Sequence, residues 1–444
     1  MVEKKLFSNA DLKKLIIPLV FEQALAITVG MADTMMISST GEAAISAVSL
    51  VDMFNNLVNS VLAALATGGA VVVSQFIGAK NYDEGCRASR QLTFSAAVIT
   101  GIVSAFIIVF NKAIIRLFFG EIEQDVFDNA CIYLVVSSFY FPFLAVFNSC
   151  AALFRSMGNA KITFKVSVAM NIINVIGNAI GVFVLKMGIL GVAVPSLIAR
   201  AVATIVLYRM LNNQSLMIHF PKERFHIDVK VIKKILAIGI PSGIENGIFQ
   251  LGRVIVVGII AGFGTVQIAA NGVANSLDGM GVIVGQAMNL AMITVIGRCV
   301  GAKDKEQVKF YTRKLMKITY IGMAAVNIVI LLTLPLTLPL YSLGKETTRL
   351  AFILVLIHNG IAIFLWPVSF TLSNMLRACN DVRFTMIVAV FSMFVFRVGF
   401  SFVLGENMAL GAIGVWIAMI LDWVFRSCLF VGRYLKGRWK TSCA

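Results

Sequence analysis

The chain has 444 residues, of which 59% are hydrophobic and only 14% charged, and its mean hydropathy is +0.89. These values exclude an ordinary soluble domain and predict an all-α polytopic protein that lies in the lipid bilayer. The net charge of +16 does not indicate nucleic acid as a partner, because the Lys and Arg residues are sorted among separate loops rather than gathered in one basic patch.

Twelve apolar stretches are long enough to cross a membrane as helices. They cover residues 15–38, 43–72, 91–111, 127–149, 160–184, 189–210, 236–260, 265–297, 318–341, 349–374, 384–404 and 409–432. Lys and Arg concentrate in every second segment between these stretches and at both chain ends. By the positive-inside rule, this sorting predicts a multi-pass protein of the plasma membrane with both termini in the cytoplasm.

The first span carries two carboxylates at positions where hydrocarbon would destabilise them. Glu22 and Asp33 are eleven residues apart, which places them within roughly 20° of each other around the helix axis. An unpaired charge in lipid is costly, so this helix face is predicted to line a solvated cavity or to contact partners inside a helix bundle. Both residues are therefore candidate site residues.

The second half of the chain repeats the first. The Pro-x-x-x-Glu sequence that ends at Glu22 recurs 223 residues later, ending at Glu245, and Gly-Ala-Lys at 78–80 recurs at 301–303 with the same offset. The predicted organisation is an N-terminal six-helix bundle at 1–210, a cytoplasmic linker at 211–234 and a C-terminal six-helix bundle at 235–444. Because each half has an even number of spans, we expect a pseudo-twofold axis along the membrane normal.

Polar side chains recur on one face of three further spans, at the spacing of a helix. The second span has Asp52, Asn55, Asn56 and Asn59, the fifth has Asn171, Asn174 and Asn178, and the eighth has Asn271, Asn275 and Asp278. Single amides in membrane helices often serve only as contacts between helices, at about 1 kcal/mol each. Stripes that recur in both halves favour a solvated cavity instead.

The other ionisable residues of the spans have a simpler interpretation. Asp422 lies four residues before Arg426, which is the spacing of a structural ion pair on one helix. Seven cysteines show neither disulfide nor metal-site spacing, and no group of His, Cys, Asp or Glu is spaced as a catalytic centre. The sequence therefore predicts no enzyme, no bound cofactor and no metal site, apart from a possible Na⁺ at Asp33. Structural ion pairs are also the simpler interpretation of Arg200, Arg253 and Arg397, and a hydrogen-bonded packing role is that of His358, but the sequence does not assign the roles of these four residues.

Several short motifs resemble, in their order and spacing, those of the multidrug and toxic compound extrusion (MATE) family. They are Asp33-Thr34, SQFIGAK at 74–80, LFRSMGN at 153–159, Gly239-x-Pro241 with Glu245, and Gly-Ala-Lys at 301–303, and together they cover nearly the whole chain. The resemblance implies secondary active export of organic, often cationic, compounds by inward flow of H⁺ or Na⁺. It also implies a coupling carboxylate at Asp33 and an acidic site at Glu245.

The fifth span departs from the pattern of several family members, which have Asn-x-x-x-Asp where this chain has Asn174-Val-Ile-Gly-Asn178. Asp33 is then expected to be the main titrating group of its half. Asn174 and Asn178 are expected either to complete a hydrated Na⁺ site or to form hydrogen bonds with a protonated Asp33. The residues expected to line the substrate and ion cavity are Glu22, Asp52, Asn55, Asn59, Glu245, Asn275 and Asp278.

Acids outnumber arginines on the spans that bear these motifs, so the cavity is predicted to be negative and to prefer cationic amphiphiles. A flippase of lipid-linked sugars, from the same wider superfamily, is the alternative, and its cavity would be expected to carry arginines that bind a pyrophosphate. The chain has no GxxxxGK[ST] sequence, so ATP is not expected to drive it. The expected partners are small organic molecules and the bilayer, with no obligate protein partner.

Overall fold

The computed structural model describes residues 5–38 and 41–443, without the side chains of residues 31, 32, 34, 35, 38, 442 and 443. Over these ranges the chain is helical and contains no strand. The all-α prediction and the layout of twelve spans in two halves of six are confirmed.

The first half contains α1 to α6. Their bounds are α1 Asn9–Ser38, α2 Glu42–Gly78, α3 Tyr82–Phe119, α4 Gln124–Ser156, α5 Ala160–Ala179 and α6 Leu190–Leu211. A π-helical turn at Ile180–Val184 extends α5.

The second half contains α7 to α14. Their bounds are α7 Val229–Ala261, α8 Thr265–Gly281, α9 Ile283–Gly301, α10 Lys305–Thr337, α11 Lys345–Trp366, α12 Leu372–Ala378, α13 Val382–Ser392 and α14 Gly411–Leu435. A π-helical turn at Pro367–Thr371 joins α11 to α12, and the π-helical turns Met393–Gly399 and Ser401–Asn407 extend α13. A 3₁₀ turn at Leu338–Tyr341 extends α10.

Eleven helical stretches of the described residues are long and apolar enough to cross a membrane. The twelfth segment is α1, whose 30 residues include Glu22 and Asp33.

The eighth span, predicted as one helix over 265–297, consists of two helices that meet at Gly281. Asn327 of α10 donates a hydrogen bond at 3.0 Å to the main-chain carbonyl of Gly281. A Cβ atom at Gly281 would lie 2.6 Å from the side-chain oxygen of Asn327, so only glycine fits against this amide. The break therefore depends on a side chain 46 residues away in the sequence.

Two compact units divide the chain inside α7. The first unit comprises residues 10–243, and its core is formed mainly by apolar residues of α2 and α4, such as Leu134 and Phe141. The second unit comprises the described residues from 244 onward together with those before residue 10, and its core includes Leu354 of α11 and Trp416 of α14.

Glycine permits the same close helix contact in both units. In the first unit, a Cβ atom on Gly181 would lie 2.5 Å from the carbonyl oxygen of Gly191 at the start of α6. In the second, a Cβ atom on Gly414 would lie 2.6 Å from the carbonyl oxygen of Leu404. Gly191 and Gly414 are 223 residues apart, so the internal repeat reproduces the packing of backbone against backbone that membrane helices favour.

The predicted linker, 211–234, packs against α3 before α7 begins at Val229. Ile218 and Phe220 are buried, and Arg90 donates hydrogen bonds to the carbonyl oxygens of Pro221 and Glu223 at 3.0 and 2.6 Å. The linker up to the start of α7 is thus fixed to the unit of residues 10–243.

Candidate functional site

The unit of residues 10–243 contains a polar cavity of about 580 Å³, a volume typical of small-molecule sites. It lies among α1, α2, α4, α5 and α6. Six residues predicted from the sequence line it, namely Glu22, Asp33, Asp52, Asn55, Asn59 and Asn174. A seventh, Asn178, contacts Asp33 from one turn beyond Asn174.

Asp33 is held by a chain of amide hydrogen bonds. Asn178 donates from Nδ2 to Oδ1 of Asp33 at 2.8 Å and also to Oδ1 of Asn174 at 3.3 Å. Asn174 donates in turn to the hydroxyl of Ser196 on α6 at 2.7 Å. The spacing of four residues on α5 places the two amides on one helix face, so α5 and α6 together position the carboxylate.

These hydrogen bonds leave one buried amide oxygen beside Asp33 without a donor. Asn178 is fully buried, and its Oδ1 accepts no hydrogen bond from the residues that the structure describes. A buried acceptor without a donor costs free energy, which a bound cation or a protonated acid would recover. No three His, Cys, Asp or Glu side chains of the described part of the chain converge. A Na⁺ at Asp33 would therefore take its other ligands from amide oxygens, hydroxyls and water.

Asp52 is a second carboxylate on the cavity wall. Its Oδ1 accepts hydrogen bonds from the hydroxyl of Tyr133 at 3.2 Å and from Nδ2 of Asn55 at 3.3 Å. Asn55 also donates to the hydroxyl of Ser137 at 3.1 Å. These neutral partners leave the carboxylate without a basic partner within 4 Å in the described residues.

Glu22 is in a different environment, although it also lines the cavity. Its carboxylate lies 3.6 Å from Nη1 of Arg155, and it accepts hydrogen bonds from the hydroxyls of Thr163 at 3.1 Å and Ser167 at 3.5 Å. The side chains of Glu22 and Arg155 are only 12% and 13% exposed. The charge of Glu22 is therefore compensated inside the helix bundle, unlike the charges of Asp33 and Asp52.

This pairing predicts that Glu22→Gln lowers stability. The change would leave the charge of Arg155 uncompensated in a largely buried position, at a cost of roughly 1–3 kcal/mol. We expect a lower melting temperature of the purified protein in detergent, measured by intrinsic fluorescence. The exposed acid Glu42, changed to Gln, is the matched control and should melt as the wild type does. An unchanged melting temperature of Glu22→Gln together with lost transport would instead make Glu22 a cavity charge.

In the second unit, Glu245 forms a buried ion pair. Its Oε1 lies 2.5 Å from Nη2 of Arg377, at the end of α12. Both residues are less than a tenth exposed, and Oε2 of Glu245 has no hydrogen-bond partner in the described residues. The charge at this position is therefore neutralised within the unit.

The predicted acid of the eighth span lies beside a histidine. Oδ1 of Asp278 lies 3.0 Å from Nδ1 of His358, whose ring packs between Trp416 and Trp423 at 5.0 and 4.9 Å. Asn275 donates to the carbonyl oxygen of Asn271 on its own helix at 2.9 Å. His358 is thus a packing residue, as the sequence indicated. Its Nδ1 also lies 3.2 Å from Oδ1 of Asn359, and Oδ1 of Asp278 has no hydrogen-bond partner in the described residues.

The second unit has a smaller cavity, of about 40 Å³, whose lining carries positive rather than negative charge. Arg253, Arg397 and Asn275 are among the residues that line it. The predicted ion pair of Asp422 with Arg426 is confirmed at 2.7 Å, and Arg397 lies 3.9 Å from the other oxygen of Asp422.

Several residues around the first cavity were not among those predicted from the sequence to line it. Tyr133, Tyr140, Ser196 and Arg200 contact or line it. Ser196 and Arg200 are four residues apart on α6, so their spacing was a signal for a shared helix face.

Comparison with known proteins gives the same family for both halves. The MatE family model matches residues 18–180 and again residues 241–403, and the two matches are offset by 223 residues. A Bacillus subtilis protein called uncharacterized transporter YisQ is 26% identical over 431 residues, which are 95% of this chain and 93% of the relative. The probable multidrug resistance protein NorM of Thermotoga maritima is 26% identical over 447 residues, 97% of this chain and 93% of the relative.

Solved structures share the fold. An outward-facing multidrug resistance MATE transporter superposes with a TM-score of 0.87 at 19% identity, over 98% of this chain and 96% of the other. A superfamily transporter from Pyrococcus furiosus, described as having a binding pocket of reversed polarity that suggests a different function, gives 0.88 at 18% identity over the same shares. The two family matches cover more than half of the chain. This multi-pass membrane protein belongs to the MatE family, the family of multidrug and toxic compound extrusion transporters.

Proposed function

We propose that this protein is a secondary active exporter of the plasma membrane that extrudes positively charged organic compounds in exchange for inward flow of H⁺ or Na⁺. The observation that carries the proposal is the environment of Asp33. This carboxylate lines a cavity of small-molecule size, has only a neutral amide as its hydrogen-bond partner in the described residues, and lies beside a buried amide oxygen without a donor.

The coupling rests on competition for one negative charge. A proton or Na⁺ on Asp33 removes the charge that an organic cation needs, and an arriving cation favours release of the ion. The bound ligand biases the side of the membrane to which the cavity opens. Because each ligand thereby changes the affinity for the other, the two are linked by a coupling free energy. Asn178 serves either version, since it offers an amide oxygen to Na⁺ and a hydrogen bond to a protonated Asp33, and Asn174 offers a second amide oxygen beside it.

A flippase of lipid-linked sugars is less well supported by the same cavity. A pyrophosphate is usually bound by several Arg or Lys side chains, whereas this cavity lining contains Asp33, Asp52 and Glu22 against the single cation Arg200. Membership of a transporter family also supports transport rather than catalysis.

The test is efflux from vesicles with separately imposed gradients. Purified protein is reconstituted in liposomes loaded with a fluorescent organic cation such as ethidium, and an H⁺ or a Na⁺ gradient is then applied alone. One of the two gradients should accelerate efflux from protein-containing vesicles and not from empty ones. Equal rates with both gradients, with neither gradient and in empty vesicles would refute the proposal.

A second experiment tests the proposed orientation. In a variant without native cysteines, single cysteines are placed at Asn213, in the linker, and at Glu123, just before α4. Because the positive-inside rule places the linker in the cytoplasm, an impermeant thiol reagent added to intact cells should label position 123 and leave position 213 unlabelled. Labelling at 213 with protection at 123 would reverse the orientation.

A further inference from the structure

The cavity of the first unit contains a charge that the proposed cycle does not use. Arg200 lies on α6 and lines the cavity, and its Nη1 donates a hydrogen bond at 3.1 Å to the main-chain carbonyl of Ser196. No carboxylate of the described residues lies within 4 Å of its side-chain nitrogens. The expectation of a structural ion pair is therefore not met at this arginine.

Tyr140 fixes the orientation of this arginine. The guanidinium carbon of Arg200 lies 4.1 Å from the ring centroid of Tyr140, which is itself buried. The stacking and the bond to Ser196 together hold the guanidinium plane. A guanidinium has five N–H donors, and only one has a partner among the described residues. The other N–H groups of the Arg200 guanidinium can bind a carboxylate through two parallel hydrogen bonds.

Two carboxylates face the same cavity, also without a basic partner. Arg200 is close enough to Asp33 and to Asp52 to interact with them electrostatically. No ion pair within 4 Å joins Arg200 to either carboxylate, although all three side chains line the cavity. A ligand that carries both signs of charge would compensate Arg200 and one carboxylate at once.

The rest of the cavity wall is rich in side-chain amides. The amide residues are Gln23, Asn55, Asn56, Asn59, Asn148, Asn171 and Asn174. Amides both donate and accept hydrogen bonds, so they suit a polar body that does the same, as peptide groups do. A predominantly apolar ligand would leave many of these groups without partners.

We propose that this cavity recognises small hydrophilic zwitterions, with Arg200 as the anchor of a carboxylate, Asp52 as the anchor of an ammonium group, and the amide wall as the site of a peptide-like body between them. The inference rests on the proposed function and adds zwitterionic compounds derived from amino acids to its cationic substrates. Arg200 is then a residue that determines specificity.

The test compares three tripeptides that differ only in their end charges. They are Ala-Gln-Ala, its C-terminal amide and its N-acetylated form, and their affinities for purified protein in detergent are measured by calorimetry without any gradient. The zwitterion should bind about tenfold more tightly than either derivative, since each loses one charge-assisted anchor. Equal affinities of the three peptides, or no binding of any, would overturn the inference.

Two variants then assign the anchors. Arg200→Gln should lower the affinity for Ala-Gln-Ala to the affinity for its C-terminal amide. The affinity for the amide itself should be the same in Arg200→Gln as in the wild type. Asp52→Asn should lower it to that for the N-acetylated form. Arg209→Gln, an exposed charge at the end of the same helix, is the matched control and should leave all three affinities unchanged. An undiminished preference for the zwitterion in Arg200→Gln would exclude Arg200 as the anchor.

Two further readouts separate the possible failures. Arg200→Lys keeps the positive charge but loses the planar guanidinium, so it should retain part of the preference for the zwitterion. It replaces Arg200→Gln as the test if that variant does not fold. Gradient-driven efflux of the organic cation by the wild type tests the proposed function alone. Efflux without any zwitterion preference would therefore reject the substrate class and leave the exporter intact.

Discussion

Asp33→Asn is expected to abolish gradient-driven efflux while leaving the protein folded. Asn has nearly the same volume, and a neutral amide is cheaper to bury than a carboxylate, so the melting temperature should stay near that of the wild type. The hydrogen bond from Asn178 can persist, because an amide oxygen also accepts it. The removable charge is lost, however, and with it the response to the driving ion. The acceleration of efflux by the gradient should fall by about 100-fold, at the upper end of usual coupling energies.

The experiment is reconstituted efflux under the effective gradient, with exposed Asp125→Asn at the start of α4 as the matched control. The control removes the same charge outside the cavity and should transport as the wild type does. Full efflux by folded Asp33→Asn would move the coupling role to another carboxylate, with Glu245 and Asp278 the first candidates.

Glu245→Gln is expected to have the largest effect on stability. The pair of Glu245 with Arg377 is short and buried on both sides, and removal of one partner of a buried pair typically costs roughly 3–5 kcal/mol. We expect a markedly lower melting temperature and a lower yield of folded protein. Any loss of transport would then follow from loss of folded protein, in contrast to Asp33→Asn.

A double variant separates structure from function at this pair. Glu245→Gln combined with Arg377→Met removes both charges, so much of the stability lost in Glu245→Gln should return. Efflux should return with it if the pair is structural. A stable double variant without efflux would show that Glu245 also contributes to binding of the ion or substrate, as the family resemblance implies.

Hydropathy and charge sorting predicted most of the architecture because the bilayer imposes them on the sequence. Twelve spans follow from segment length, and the two halves follow from the repeat that joins Glu22 to Glu245. The break between α8 and α9 could not be predicted in the same way. It depends on Asn327, whose contact with Gly281 exists only once α10 has packed against the eighth span.

The candidate site was predicted as residue types rather than as contacts. A stripe of carboxylates and amides identified Asp33 and Asn178, and the structure brings them within 2.8 Å although 145 residues separate them. The stripe could not distinguish an uncompensated acid from a paired one. Glu22 has Arg155 and Glu245 has Arg377, and both partners lie on helices that are distant in the sequence.

The most direct test of the central claim is the dependence of cation affinity on the coupling ion. Binding of the fluorescent cation to purified protein is measured over a series of pH values and, separately, of Na⁺ concentrations, for the wild type and for Asp33→Asn. If both ligands compete for the charge at Asp33, the apparent wild-type affinity falls by up to about tenfold for each tenfold rise in the coupling ion above its own dissociation constant. Asp33→Asn should bind the cation with an affinity independent of that ion. Wild-type affinity that responds to neither ion, or an Asp33→Asn variant with the full wild-type dependence, would contradict the account.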